Sequence, residues 1–93
     1  MNKKITHVKT ALGLLELTND PKLEFSDISA EMYRTYKYPD GSEVTITEPL
    51  ALNVNFKSGG HRLVSKDGMA HYVRPGWNHL IFPNKPGKVR FNF

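Results

Sequence analysis

The sequence predicts a mainly-β domain, a small antiparallel barrel or curved sheet built from successive hairpins. Three observations carry this. Turn signals recur at short intervals: Pro39-Asp40-Gly41, Glu48-Pro49, Ser58-Gly59-Gly60, Lys66-Asp67-Gly68, Pro75-Gly76 and Pro83 to Gly87. Glycine accepts positive φ and proline fixes φ while lacking a donor, so such pairs end regular elements. The runs between them have strand length, not helix length. The runs also alternate apolar and polar residues, which sets one face of a strand on a core and the other in water.

The elements follow in order. Residues 1–30 admit two readings. Ile5, Val8, Leu12 and Leu15 have helical spacing and would form one apolar stripe. Gly13 and the threonines weigh against that helix and favour two short strands turning near Ala11–Gly13. Ser26 can cap a helical turn or two through "SDISAEMYR", the one short N-terminal helix this reading allows. From Met32 onward the pattern predicts strands over 32–38, 43–48, 50–56, 62–65, 69–73, 77–82 and 88–93. Tyr38-Pro39-Asp40-Gly41-Ser42 is a hairpin connection. In "LALNVNF", Leu50, Leu52, Val54 and Phe56 are expected on the core face. In "KVRFNF" the core face is Val89, Phe91 and Phe93. Pro75-Gly76 is expected to close a hairpin, with Val73 and either Trp77 or Leu80 toward the core.

Composition bounds the function. Ninety-three residues make one small domain with a modest core. There is no cysteine, so disulfides, thiolate zinc sites and thiol nucleophiles are excluded, and a reducing compartment is favoured. No run approaches the roughly 20 apolar residues of a membrane span, and the N-terminal run is broken by polar residues. The expectation is a cytoplasmic protein with no membrane partner. Residues 1–48 hold six Lys/Arg and eight Asp/Glu, whereas residues 49–93 hold seven Lys/Arg and one acid. The second half is thus a basic module that also carries Phe56, Tyr72, Trp77, Phe82, Phe91 and Phe93. Such asymmetry points to a polyanion or an acidic protein surface as partner.

No Gly-x-Ser-x-Gly elbow, P-loop, dinucleotide fingerprint or His-Glu-x-x-His occurs, so an enzyme is not expected. His61, His71 and His79 are the only candidate metal ligands of the basic half, and their spacing lacks a His-x-His or His-x-x-x-His pattern. The stretch "RPGWNHLIFPN" resembles the second motif of the cupin family, Pro-x-Gly-x-x-His-x-x-x-Asn. That resemblance implies a small metal-binding barrel with His79 as a ligand. It departs from the pattern where Pro75 abuts Gly76 and where Asn84 lies one residue too far. The first cupin motif is absent, and no cofactor is expected. Gly59, Gly60 and His61 form a candidate backbone nest for an anion, with Arg62 beside it. Arg62, Tyr72, Arg74, Trp77, Lys88 and Arg90 are the candidate binding residues, cations interleaved with aromatics. That combination suits a protein partner first, and single-stranded DNA or RNA second. An exposed strand edge would also suit a homodimer. The overall expectation is a non-catalytic interaction protein, of the size and composition common among phage and mobile-element accessory proteins.

Overall fold

The computed structural model describes residues 4–17, 23–87 and 89–93, and these form strands and turns with no helix. Ten strands run in chain order: β1 Lys4–Ile5, β2 His7–Thr10, β3 Gly13–Glu16, β4 Phe25–Asp27, β5 Tyr33–Lys37, β6 Glu43–Thr47, β7 Pro49–Val54, β8 His61–Ser65, β9 Ala70–Val73 and β10 His79–Ile81. They make three antiparallel sheets, ordered β1-β4-β7-β8-β9, β10-β5-β6 and β2-β3. The sheets are curved and do not close into a barrel. Among the described residues no helix is long and apolar enough to cross a membrane.

The five-stranded and three-stranded sheets face each other. Residues opposite one another across antiparallel strands share a face. Leu52, Leu63 and His71 therefore form one row, and Asn53, Arg62 and Tyr72 form a row on the other face. Leu52, Leu63 and Val73 meet Tyr36 and Ile46 of the smaller sheet, with Ile28 and Tyr38, in the main core. The far face of the larger sheet is covered by the β2–β3 hairpin, where Val8, Phe25 and Ala51 gather Ile5, Leu15, Leu17, Leu23, Leu50 and Val64. β7 is thus covered on both faces, so its Ala51 and Asn53 are buried along with Leu52.

The hairpin settles the ambiguous N-terminus in favour of strands. Val8 pairs with Leu15, and Gly13 has φ +117°, a conformation that a helix interior excludes. The Thr10 hydroxyl closes the turn, donating to the Gly13 carbonyl at 2.9 Å and accepting from the Leu12 amide at 3.1 Å. Ser26 does not cap a helix. It lies inside β4, and Asp27 Oδ1 accepts the Ser29 amide at 2.8 Å in a turn that competes with helix. The Asp40 and Asp67 turns form as their residues suggest. Gly41 N–H donates to the Tyr38 carbonyl, and Gly68 N–H to the Ser65 carbonyl.

Glu48 is the corner between the sheets. Its N–H donates to the Met32 carbonyl at 3.0 Å, while its carbonyl accepts the Lys66 amide at 2.9 Å. These two bonds hold a non-glycine residue at φ +48°.

Three expectations for the strands fail. Pro75-Gly76 does not close a hairpin: β9 pairs with β8, and β10 crosses to pair with β5. The connection carries the chain from one sheet to the other, and both Trp77 and Leu80 pack on the main core. Residues 89–93 form no strand, and their apolar side chains face out while Asn92 faces in. Phe56 likewise lies beyond the end of β7 and faces out.

Candidate functional site: a phenylalanine-rimmed cleft

The most distinctive surface is a cleft of about 340 Å³ between the C-terminal segment and the β1-β4-β7 end of the large sheet. Phe56, Phe91 and Phe93 border it, at 92%, 71% and 59% exposure. Local chemistry forces Phe56 outward. Asn55 Oδ1 accepts the Lys57 amide at 2.9 Å and the Ser58 amide at 3.1 Å, and the Asn55 carbonyl accepts Gly59 N–H at 2.7 Å. This tight turn ends the strand at Val54, two residues before Phe56, and breaks the alternation that would have buried it.

Phe91 is held by edge-to-face contacts, 5.5 Å from Phe82 and 6.2 Å from Phe93. Between Phe91 and Phe93, Asn92 points inward at 4% exposure, and its Oδ1 has no hydrogen-bond partner among the described residues. Leu52 and Val54 supply apolar lining. Lys4 Nζ lies 3.0 Å from Glu24 Oε1, so the charged pair at the cleft is internally neutral. Asn53 is already committed: its Nδ2 donates to the Glu24 carbonyl at 2.9 Å and its Oδ1 accepts Arg62 Nη1 at 3.2 Å.

The residues singled out by sequence are dispersed. Arg62 stacks over Tyr72 with its guanidinium 5.6 Å from the ring centroid, and Tyr72 is 57% exposed. Arg74 covers Tyr38 at 5.0 Å, and the Tyr38 hydroxyl donates to the Arg74 carbonyl at 2.8 Å. Arg90 borders a separate recess with Asp27, Glu31 and Asn84. Lys88 lies outside the described residues. Gly59 N–H donates to Asn55 and Gly60 N–H donates to Ser58 Oγ at 3.1 Å, so two of the three nest amides already have partners. A side chain at Gly60 would run into the Tyr72 phenol.

Trp77 is a core residue, in edge contact with Tyr36 and His61 at 5.5 and 5.4 Å. Beneath it runs a buried polar chain. Arg34, fully buried, grips Glu31 with two hydrogen bonds of 2.8 and 2.6 Å, and its Nη1 donates to the Tyr36 hydroxyl at 3.4 Å. The guanidinium only donates, so the Tyr36 hydroxyl proton goes to His61 Nδ1, 2.6 Å away. Burial, and then the nearby Arg34 charge, lowers the His61 pKa to about 4. Burial raises Tyr36 to about 12. Tyr36 and His61 are therefore both neutral near pH 7.

His71 meets Ser65 and Asp67 at the β8–β9 turn, but not as a catalytic triad. The hydroxyl of the buried Ser65 donates to Asp67 Oδ1 at 2.5 Å, and His71 Nε2 lies 2.9 Å from Ser65 Oγ. The hydroxyl proton is already given to Asp67, so His71 donates to Ser65 and does not act as its base. The Ser65 and Met69 hydrogen bonds lower the Asp67 pKa. His79 lies on β10 in the other sheet, opposite Lys37. Among the described residues no group of three His, Cys, Asp or Glu is placed to hold a metal ion.

Sequence reasoning missed the site's main members, Phe56, Phe91, Phe93 and Asn92. The available signal for Phe56 was local: an Asn immediately before it and Lys-Ser-Gly-Gly after it read as a turn, not as the end of a strand. No protein-family model, curated protein or solved structure matches the chain.

Proposed function

We propose that this protein is a non-catalytic binding module that docks a protein partner through the Phe56–Phe91–Phe93 surface. The single observation carrying this is that three phenylalanines around one cleft are mostly exposed. Each ring offers about 200 Å² when free, so together they present roughly 400 Å² of apolar surface. That is the size of the largest apolar patch on a typical monomer, and such a patch is often functional. Phenylalanine has no polar tip, so water gives these rings nothing in return for their exposure.

A protein partner is favoured over nucleic acid by the charge of the cleft. Its lysine is neutralised by Glu24, whereas a phosphate backbone requires unpaired cations beside the aromatic platforms. The cysteine-free composition suits a reducing, cytoplasmic setting.

The test compares the wild-type protein with the Phe56→Ser/Phe91→Ser double variant as bait. Partners retained by the first and lost by the second are expected. In parallel, labelled single-stranded DNA is titrated at two salt concentrations. Tight binding that weakens steeply with salt and survives the double variant would overturn the reading and assign the basic half to nucleic acid.

A further inference from the structure

We propose that β6 is a dimerisation edge, which pairs antiparallel with β6 of a second copy of this chain about a two-fold axis through Thr45. This site is separate from the phenylalanine surface and does not rest on it. β6 ends the three-stranded sheet, and among the described residues no strand lies on its outer side. At five residues it is longer than the other edge strands of the two main sheets, β1, β9 and β10. Exposed edges are ordinarily blunted by lysine, proline, a bulge or short length. Residues 43–47 hold neither lysine nor proline, and their register with β5 runs without a shift. Val44 to Thr47 are all β-branched, the residue type that pairs well in strands.

The backbone decides the register. Tyr38 N–H donates to the Ser42 carbonyl at 2.9 Å and Glu48 N–H to the Met32 carbonyl at 3.0 Å, at the two ends of the β5–β6 ladder. Backbone directions alternate along a strand. Val44 and Ile46 therefore turn their backbone groups to β5, while Glu43, Thr45 and Thr47 turn theirs outward. A two-fold axis through Thr45 sets every outward residue against an outward residue: Thr45 against Thr45, and Glu43 against Thr47 at either end. Each such pair exchanges two hydrogen bonds, about six in all. The side chains match in the same register. Val44 lies on the core face yet is 42% exposed, and it meets the apolar Ile46 of the second copy. On the other face the Thr35–Thr45 hydroxyl contact of 2.9 Å continues into Thr45 and Thr35 of the second copy. Glu43, the strand's one charge, faces a threonine. The two Glu43 residues stand about 13 Å apart along the strands, beyond a Debye length. Sliding the pairing by two residues sets Ile46 against Ser42 or Val44 against Glu48 and loses outward pairs within the strand. This self-complementarity selects a second copy over an unrelated strand.

The test is sedimentation equilibrium of the full chain. A five-residue strand pair is a small interface, so the apparent mass should climb from one chain toward two between about 1 µM and about 1 mM. Thr45→Lys sets two ammonium groups opposite each other at the axis and should weaken dimerisation about tenfold or more. Thr45→Glu should do the same. An equimolar mixture of the two variants should recover the dimer, because position 45 against itself then joins lysine to glutamate. Thr45 is exposed, so both variants should keep the wild-type circular dichroism. Phe56→Ser/Phe91→Ser should dimerise as wild type does. The chain has no cysteine, so Thr45→Cys is a clean reporter and should form a disulfide dimer under mild oxidation. Glu43→Cys should not, since its counterpart lies about 13 Å away.

A single-chain mass at every concentration would overturn the proposal. So would a dimer that Thr45→Lys leaves unchanged, or monomeric lysine and glutamate variants whose mixture stays monomeric. A dimer abolished by Phe56→Ser/Phe91→Ser would overturn it by assigning self-association to the phenylalanines. Faster cross-linking of Glu43→Cys than of Thr45→Cys would overturn the two-fold register.

Discussion

Acid should destabilise this protein through His61, by an amount that can be worked out. His61 is 1% exposed, and its Nδ1 accepts the Tyr36 hydroxyl proton at 2.6 Å. Protonating it would remove that acceptor and place a charge near Arg34. In the unfolded chain the imidazole takes up a proton near its ordinary 6.5; in the folded protein it does so only near about 4. Between those values the unfolded state binds more protons, so its share grows as pH falls. The His61 contribution is therefore full above pH 6.5 and is lost progressively down to about pH 4. The whole shift corresponds to about 3 kcal/mol, and the loss between pH 7 and pH 5 alone to about 2 kcal/mol. A domain of this size has roughly 5–14 kcal/mol of stability, so the effect is a substantial part of it. The assay is urea unfolding at pH 7 and pH 5, followed by the fluorescence of Trp77, the sole tryptophan. Its ring lies 5.4 Å from His61. The control is His61→Asn, whose side-chain oxygen can replace Nδ1 as acceptor but does not titrate. Subtracting it cancels the other three histidines and the carboxylates. The variant should lose about 2 kcal/mol less than wild type between the two pH values. Equal losses in both proteins would refute the reasoning.

Other consequences follow from the same structure. Trp77→Ala removes a ring packed on Tyr36, His61 and the main core, and should cost about 3 kcal/mol in urea unfolding followed by circular dichroism. Arg34→Met leaves the buried Glu31 carboxylate without its partner and should cost about 3–5 kcal/mol; adding Glu31→Leu should recover most of it, as measured by thermal melts of both variants. Phe56→Ser and Phe91→Ser should shift stability by less than about 0.5 kcal/mol, because neither ring is buried, while reducing the binding of an apolar fluorescent dye. Asn92→Leu should raise the melting temperature, since it removes an amide oxygen whose unpaired burial costs about 1–3 kcal/mol.

Much of the fold was legible because its signals are local. Asp40-Gly41 and Asp67-Gly68 each announce a turn whose hydrogen bonds are closed by the flanking residues. Alternation placed Leu52 in the core, and the reading of the 69–73 strand did the same for Val73. The failures arise where a long-range partner decides. Pro75-Gly76 has the residues of a tight turn, but β10 pairs with β5, some forty residues earlier in the chain, and no local pattern records that choice. Alternation in "KVRFNF" gives two faces without saying which one meets the protein. Asn92 took the inside, and the phenylalanines were left to solvent. Trp77 and His61 read equally well as ligand-facing groups or as core. Only the contacts with Tyr36 and the Arg34–Glu31 pair show the latter. The cleft itself joins Lys4 and Glu24 from the start of the chain to Phe93 at the other end, a conjunction that exists only after folding.

The docking claim is tested most directly by photo-cross-linking in the cell that produces the protein. A benzophenone amino acid is placed at position 56, at position 91 and, as a control, at the equally exposed Leu14 on the far hairpin. The account predicts a discrete covalent adduct with one protein from positions 56 and 91, and none from position 14. Adducts that form equally from all three positions, or from position 14 alone, would contradict it.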